Sequence, residues 1–128
     1  MEKIYIFCDS AGDIPREEVE QYGIDIVPER ITHAGHSFRE YYDMTPEQYW
    51  DLLESSDEIP TTAQVTPALA MECYERARAA GCTHVVGAII NAAGSGGYQS
   101  CSIARAMFYE KYGEDMRIEL IDSESYTY

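Results

Sequence analysis

Positive charge is what this chain has least of. Nine lysines and arginines stand against 23 aspartates and glutamates in 128 residues, a formal net charge of −14. Phosphate backbones are bound by clustered Lys and Arg, so nucleic acid is excluded as a natural partner, and adsorption to an anionic membrane surface is equally disfavoured. No run of about 18 apolar residues exists to span a membrane. The first apolar run, Ile4 to Cys8, is too short for a secretory leader and reads as a strand, which makes the cytoplasm the default address. Cys8, Cys73, Cys82 and Cys101 form no Cys-x-x-Cys pair and each sits in or beside an apolar run, so they read as buried reduced thiols. A length of 128 residues supports one domain with a real core.

What is present is an alternation of strands and helices. Lys3–Cys8 is apolar on both faces; a helix through Tyr22 follows, with Pro15 in its first turn and Gly23 as a left-handed cap. Ile24–Pro28 is a second strand. Ile31–His33 and His36–Phe38 flank Ala34-Gly35 as a small hairpin. Thr45-Pro46-Glu47-Gln48 carries the cap, the N1 proline and the capping-box glutamine of a helix start, with Tyr49, Leu52 and Leu53 as its core stripe. Thr66-Pro67 opens a further helix that Gly81 closes, with Leu69, Ala70, Cys73, Tyr74 and Ala77 facing inward. His84–Ile90 reads as a buried parallel strand, Cys101–Tyr112 as a helix with Ile103, Ala104, Met107 and Phe108 buried, and Met116–Ile121 as a last strand. The fold class is α/β: one parallel sheet wrapped on both faces, a three-layer α/β/α domain.

In such sheets ligands sit beyond the carboxyl ends of the strands. Asp9-Ser10, Asn91–Gly97 and Asp122-Ser123 gather at that edge. The loop Asn91-Ala92-Ala93-Gly94-Ser95-Gly96-Gly97 lies between strand and helix, so unpaired helix N–H groups and the Ser95 hydroxyl make a cup for an anion. A phosphate or nucleotide site lacks its motif, since neither Gly-x-x-x-x-Gly-Lys-Ser/Thr nor Gly-x-Gly-x-x-Gly occurs and no cation lies between Asn91 and Ser102. A serine hydrolase using Ser95 is one substitution from a nucleophile elbow, yet His33, His36 and His84 all precede the serine. The third reading is a non-catalytic carboxylate cup, with Ser95 as donor and a second hydroxyl from Pro60-Thr61-Thr62. Glu17, Glu18 and Glu20, and Glu54, Asp57 and Glu58, read as solvated faces, whereas Asp9 and Asp122 end strands at the ligand edge. A magnesium site there has little support, and His33 with His36 makes a poor zinc proposal.

The ordered motifs resemble the DegV family of bacterial lipid-binding proteins. The matching pieces are Asp9-Ser10, Tyr22-Gly23-Ile24 with Val27-Pro28, Thr45-Pro46-Glu47, Ile59-Pro60-Thr61-Thr62-Ala63-Gln64 with Thr66-Pro67, Gly94-Ser95-Gly96-Gly97-Tyr98-Gln99-Ser100, and Ile121-Asp122-Ser123. The resemblance implies a carrier of a long-chain fatty acid, not itself an enzyme, without cofactor or metal. It implies a carboxylate on Thr62 and Ser95, with Thr61, Gly96, Asp9 and Ser10 as possible support and the acyl tail buried within the domain. It implies a separate fatty-acid kinase that forms the acyl phosphate. Gly94 stands where the family usually has a bulky aliphatic residue, and Ala63 replaces its serine. Residues 1–128 are expected to be the first domain only, the second being absent, with self-association through the surface so left.

Overall fold

The computed structural model describes residues 2–126. Four parallel strands form the main sheet in the order β2-β1-β6-β7: β1 (Ile4–Asp9), β2 (Asp25–Val27), β6 (His84–Ile89) and β7 (Arg117–Asp122). A second, antiparallel sheet has the order β4-β3-β5, from β3 (Arg30–His33), β4 (His36–Arg39) and β5 (Thr61–Ala63). The helices are α1 (Arg16–Tyr22), α2 (Pro46–Ser55), α3 (Pro67–Ala79) and α4 (Gly97–Tyr112). The α/β class and its parallel sheet are as the alternation of elements requires.

Strand alternation divides the core between the faces of the main sheet. Phe7, Val85, Ile89 and Ile118 point to one face and pack beneath α3 and α4, against Ala70, Cys73, Tyr74, Ala77, Cys101, Ala104 and Phe108. Cys8 and Ile26 point to the other and meet Val19 of α1, with Ile14, Ile24, Tyr41 and Ala88 around them. That second cluster is smaller and lies at the carboxyl end of β1, so Ile4 and Ile6 remain exposed at the amino end. All four cysteines are free and buried.

Several local signals act as written. Gly23 caps α1 at φ 64°, Gln48 and Thr45 close the capping box of α2, and the hairpin pairs His33 with His36. Four differ. Pro15 is the N-cap of α1 and not its first helical residue. Pro60–Gln64, to which the sequence pattern assigns no strand, contains β5, because Thr61, Thr62 and Ala63 complete the edge of β3 that β4 leaves open; pairing across the chain overrides local propensity. Helix α4 begins four residues before Cys101, at Gly97, since Ser95 Oγ accepts the Gly97 N–H at 3.3 Å and Ser100 N–H already returns to Gly96 O at 3.0 Å. Its buried stripe is Cys101, Ala104 and Phe108, while Ile103 and Met107 are 45 % and 46 % exposed. The core stripe of α2 is only half-buried, because that helix covers an open groove.

Among the described residues no strand lies beside the outer edge of β7. Helix α4 covers it at Ile118: the Tyr109 hydroxyl accepts the Ile118 N–H at 2.9 Å, and Arg105 Nη1 donates to the Ile118 carbonyl at 3.3 Å.

Gly87 shows how tightly the main face is filled. It pairs with Phe7 in register, and a Cβ there would stand 2.3 Å from two atoms of the fully buried Phe7 ring. Phe7 is also held edge-to-face by Tyr74, at 5.8 Å between ring centres, so the ring cannot withdraw freely. Gly87→Ala is expected to destabilise the fold by about 1–3 kcal/mol, the usual cost of overpacking. Urea denaturation reads this as a lower midpoint at unchanged slope.

Candidate functional site

The register brings three strand ends together. Cys8 pairs with Ala88 and Ile89 with Asp122, so Asp9, Ile89 and Asp122 stand at one level of the sheet and Ile90 follows just beyond it. Both aspartates serve the loop after β6. Asp9 Oδ2 accepts the Ile90 N–H at 3.1 Å, and Asp122 Oδ1 accepts the Ala92 N–H at 3.1 Å. Asp9 and Ser95 both approach Gly97: a Cβ there would stand 3.7 Å from Ser95 Oγ and 3.9 Å from Asp9 Oδ2. Burial pushes the Asp9 carboxyl above the usual range, against the opposing pull of the Ile90 and Gly12 N–H groups.

The backbone donors of this loop can be accounted for one by one. Ala92 N–H goes to Asp122 and Ala93 N–H to Asn91 Oδ1. Gly94 and Ser95 N–H both reach the Asn91 carbonyl, at 3.0 and 3.1 Å. Gly96 N–H donates to Gln64 Oε1 at 3.0 Å, and Gly97 N–H to Ser95 Oγ. The expected cup of free N–H groups is therefore already filled by protein acceptors through residue 97. What Ser95 offers is its hydroxyl proton, since its oxygen is the acceptor for Gly97.

Gln64 joins the two sheets at this point. It follows β5 by one residue, and its amide lies so close to Gly96 that a Cβ there would stand 2.4 Å from both amide heteroatoms. The sequence contains Gln64 within a recognisable motif, but nothing in that motif says which N–H the amide meets. Tyr126 was likewise illegible: its ring covers Gly94, and its hydroxyl accepts from Asn91 Nδ2 at 3.1 Å. The glycine at 94 was the available signal.

Beside β5 lies a groove of about 480 Å³, within the range of about 300–1,000 Å³ typical of ligand sites. Ile14, Ile26, Ile31, Met44, Tyr49 and Trp50 supply its apolar wall, and Thr62 stands on it. Alternation explains the choice between neighbours: Thr62 pairs with Ile31 and shares its face, whereas Thr61 pairs with Thr32 and turns away. Ser10 also lines the groove, but its Oγ accepts the Glu29 N–H and donates to Glu40 Oε2, both at 2.8 Å. Its proton is thus directed at Glu40. Thr61, Gly96, Asp9 and Ser95 do not line the groove; Ser95 is connected to it through Gly96 and Gln64.

The histidines have partners elsewhere. His33 Nε2 lies 2.9 Å from Ser56 Oγ, and His84, at the far end of β6, lies 2.8 Å from Thr83 Oγ1. Among the described residues no three His, Cys, Asp or Glu side chains converge as metal ligands would, and no helix is long and apolar enough to cross a membrane.

Glu29, Glu40 and Asp9 crowd together behind the groove. Burial, then the charges of Glu40, Asp9 and Asp13, push Glu29 from the ordinary 4.5 up to about 7. Burial also raises Glu40, partly offset by the Ser10 hydrogen bond. An acid whose folded pKa is raised gives its full stability below the unfolded value and loses it as pH rises through the folded one. Stability should therefore fall between about pH 4.5 and pH 7. Glu29→Gln should flatten that dependence and stabilise the fold at pH 8 by on the order of 1 kcal/mol, after allowance for partial solvent screening. Thermal melts of both proteins across this range give the comparison.

Known proteins agree with this architecture. The family model described as "Uncharacterised protein, DegV family" matches residues 3–128. A DegV domain-containing protein of Caldanaerobacter subterraneus is 38% identical over 127 residues, covering 99% of this chain and 43% of the relative. A structure from Eubacterium ventriosum described as a stearic-acid-binding protein superposes with a TM-score of 0.86 at 28% identity, over 98% of this chain and 43% of that one. A Thermus thermophilus DegV family protein, described by its fatty-acid binding, gives 0.79 at 26% identity, over 98% and 42%. The chain spans less than half the length of these relatives. It belongs to the DegV family.

Proposed function

We propose that this chain binds a long-chain fatty acid, with the carboxylate between the Thr62 and Ser95 hydroxyls and the acyl tail in the groove of Ile14, Ile26, Ile31, Met44, Tyr49 and Trp50. The observation that carries this reading is the juxtaposition of that apolar groove with Thr62 on a strand that Gln64 ties to the Ser95 loop. The fatty-acid binding described for the Eubacterium and Thermus proteins supports the ligand class. Hydroxyl donors suit a carboxylate, and the groove suits an unbranched hydrocarbon, whose burial is worth about 0.8 kcal/mol per methylene.

In this reading the chain is a carrier and not a catalyst. It acts in the cytoplasm without a cofactor, and the carboxylate is presented to a separate kinase for acyl-phosphate formation. Contacts to the carboxylate from a second domain, and association of copies through the surface that such a domain would cover, belong to the same reading.

Mass spectrometry of ligand extracted from the purified protein is the primary test. Long-chain fatty acids are expected; recovery of a nucleotide, or of no lipid after incubation with palmitate, would falsify the proposal. In binding assays each two-carbon shortening of the acid should weaken affinity by up to about 1.6 kcal/mol, roughly 15-fold. Thr62→Val combined with Ser95→Ala should lower palmitate affinity at least about tenfold, given about 1.5–3 kcal/mol for hydrogen bonds to charged groups. Unchanged affinity would show the head group to lie elsewhere.

A further inference from the structure

The donor account of the Ser95 loop leads to a residue that the fatty-acid reading does not include. Every backbone N–H from Ala92 to Gly97 is consumed by a protein acceptor. Between residues 92 and 97, what is left to offer an anion is side-chain protons. Ser95 has one such proton, because its oxygen accepts from Gly97. The Tyr126 hydroxyl has the same arrangement: its oxygen accepts from Asn91 Nδ2, and a phenol that accepts one bond still has its own proton to give.

Three further observations fix that phenol beside Ser95. Asn91, which holds the phenol oxygen, also receives the N–H groups of Gly94 and Ser95 on its carbonyl, so one residue anchors the phenol and the backbone that carries the Ser95 hydroxyl. The Asn91 N–H binds the Ser125 carbonyl at 2.9 Å, which fixes the segment carrying Tyr126 against the loop. The phenol occupies the volume that a side chain at 94 would need, its oxygen lying 2.2 Å from an ideal Cβ on Gly94. Tyr126 is 60 % exposed, so the ring is not there to complete the core.

We infer that Tyr126 is a third hydroxyl ligand of the bound carboxylate, admitted to the site by the absence of a side chain at Gly94. The inference rests on the fatty-acid reading above and extends it. Gly94 and Tyr126 form a matched pair: the glycine makes room, and the phenol fills that room with a donor. A residue with a Cβ at 94 pushes the phenol away from Ser95 and removes the donor without touching it chemically. In a chain this poor in lysine and arginine, a neutral third donor strengthens a carboxylate site without a local cation.

Tyr126→Phe keeps the ring over Gly94 and removes only the hydroxyl. Binding of palmitate and of its methyl ester to the 128-residue chain gives the test, because the ester has no carboxylate charge to reward a donor. Tyr126→Phe is expected to weaken palmitate about tenfold and to leave the ester unchanged. Gly94→Ala should produce a loss of similar size, and Gly94→Ala with Tyr126→Phe should lose no more than either alone. Equal palmitate affinity in wild type and Tyr126→Phe overturns the inference while leaving the fatty-acid reading intact. An equal loss for palmitate and ester also overturns it, since the ring contact and not the donor would then be responsible. Failure of the wild-type chain to bind palmitate overturns the reading and the inference together.

Discussion

The hydrogen bond from the Gly96 N–H to the Gln64 amide is the contact on which the arrangement of the site depends. One partner stands at the N-terminus of the helix that follows β6, the other one residue beyond the edge strand of a different sheet. The contact ties the strand that bears one candidate hydroxyl to the loop that bears the other, next to Val65 in the core. The bond is possible because residue 96 has no side chain; a Cβ would occupy the space of the amide itself. Glycine here is a matter of clearance between backbone and amide, not of turn geometry, since its φ of −82° is open to any residue.

Charge sets a second constraint. A chain with a net charge of −14 is proposed to bind an anion, and its own carboxylates crowd the same edge of the sheet. The structure reconciles these demands by occupying the carboxylates. Asp9 and Asp122 accept N–H groups from the loop, and Glu40 accepts from Ser10. Burial further favours the protonated form of Asp9, Glu29 and Glu40, which lowers the negative field at the place where the ligand's own carboxylate would sit.

The sequence conveyed the main sheet well and the second sheet poorly, for a physical reason. Parallel strands buried on both faces, such as His84–Ile89, announce themselves as apolar runs, and caps such as Thr45 with Gln48 are written within four residues. The strand Thr61–Ala63 has no such signal: it is exposed, three residues long, and exists because β3 offers it an unpaired edge. The start of α4 was misplaced by four residues because glycines 96 and 97 locally disfavour a helix whose first N–H the Ser95 hydroxyl accepts. In the candidate site, Thr62 and Ser95 are what the family resemblance implies, whereas the contact of Tyr126 with Gly94 spans 32 positions of chain and no local pattern encodes it.

Helix α4 carries two jobs at its two ends. Its first turn frames the site, and farther along Arg105 and Tyr109 take the outward-facing polar groups of Ile118 on the last strand. A free strand edge is a template on which another extended segment can grow. Here the template is interrupted at its middle by side chains that no incoming strand can match without first breaking two bonds. A domain with an apolar groove and bare isoleucines on its sheet is thereby spared one route to fibrous assembly, and the safeguard is built into the same helix that frames the candidate site.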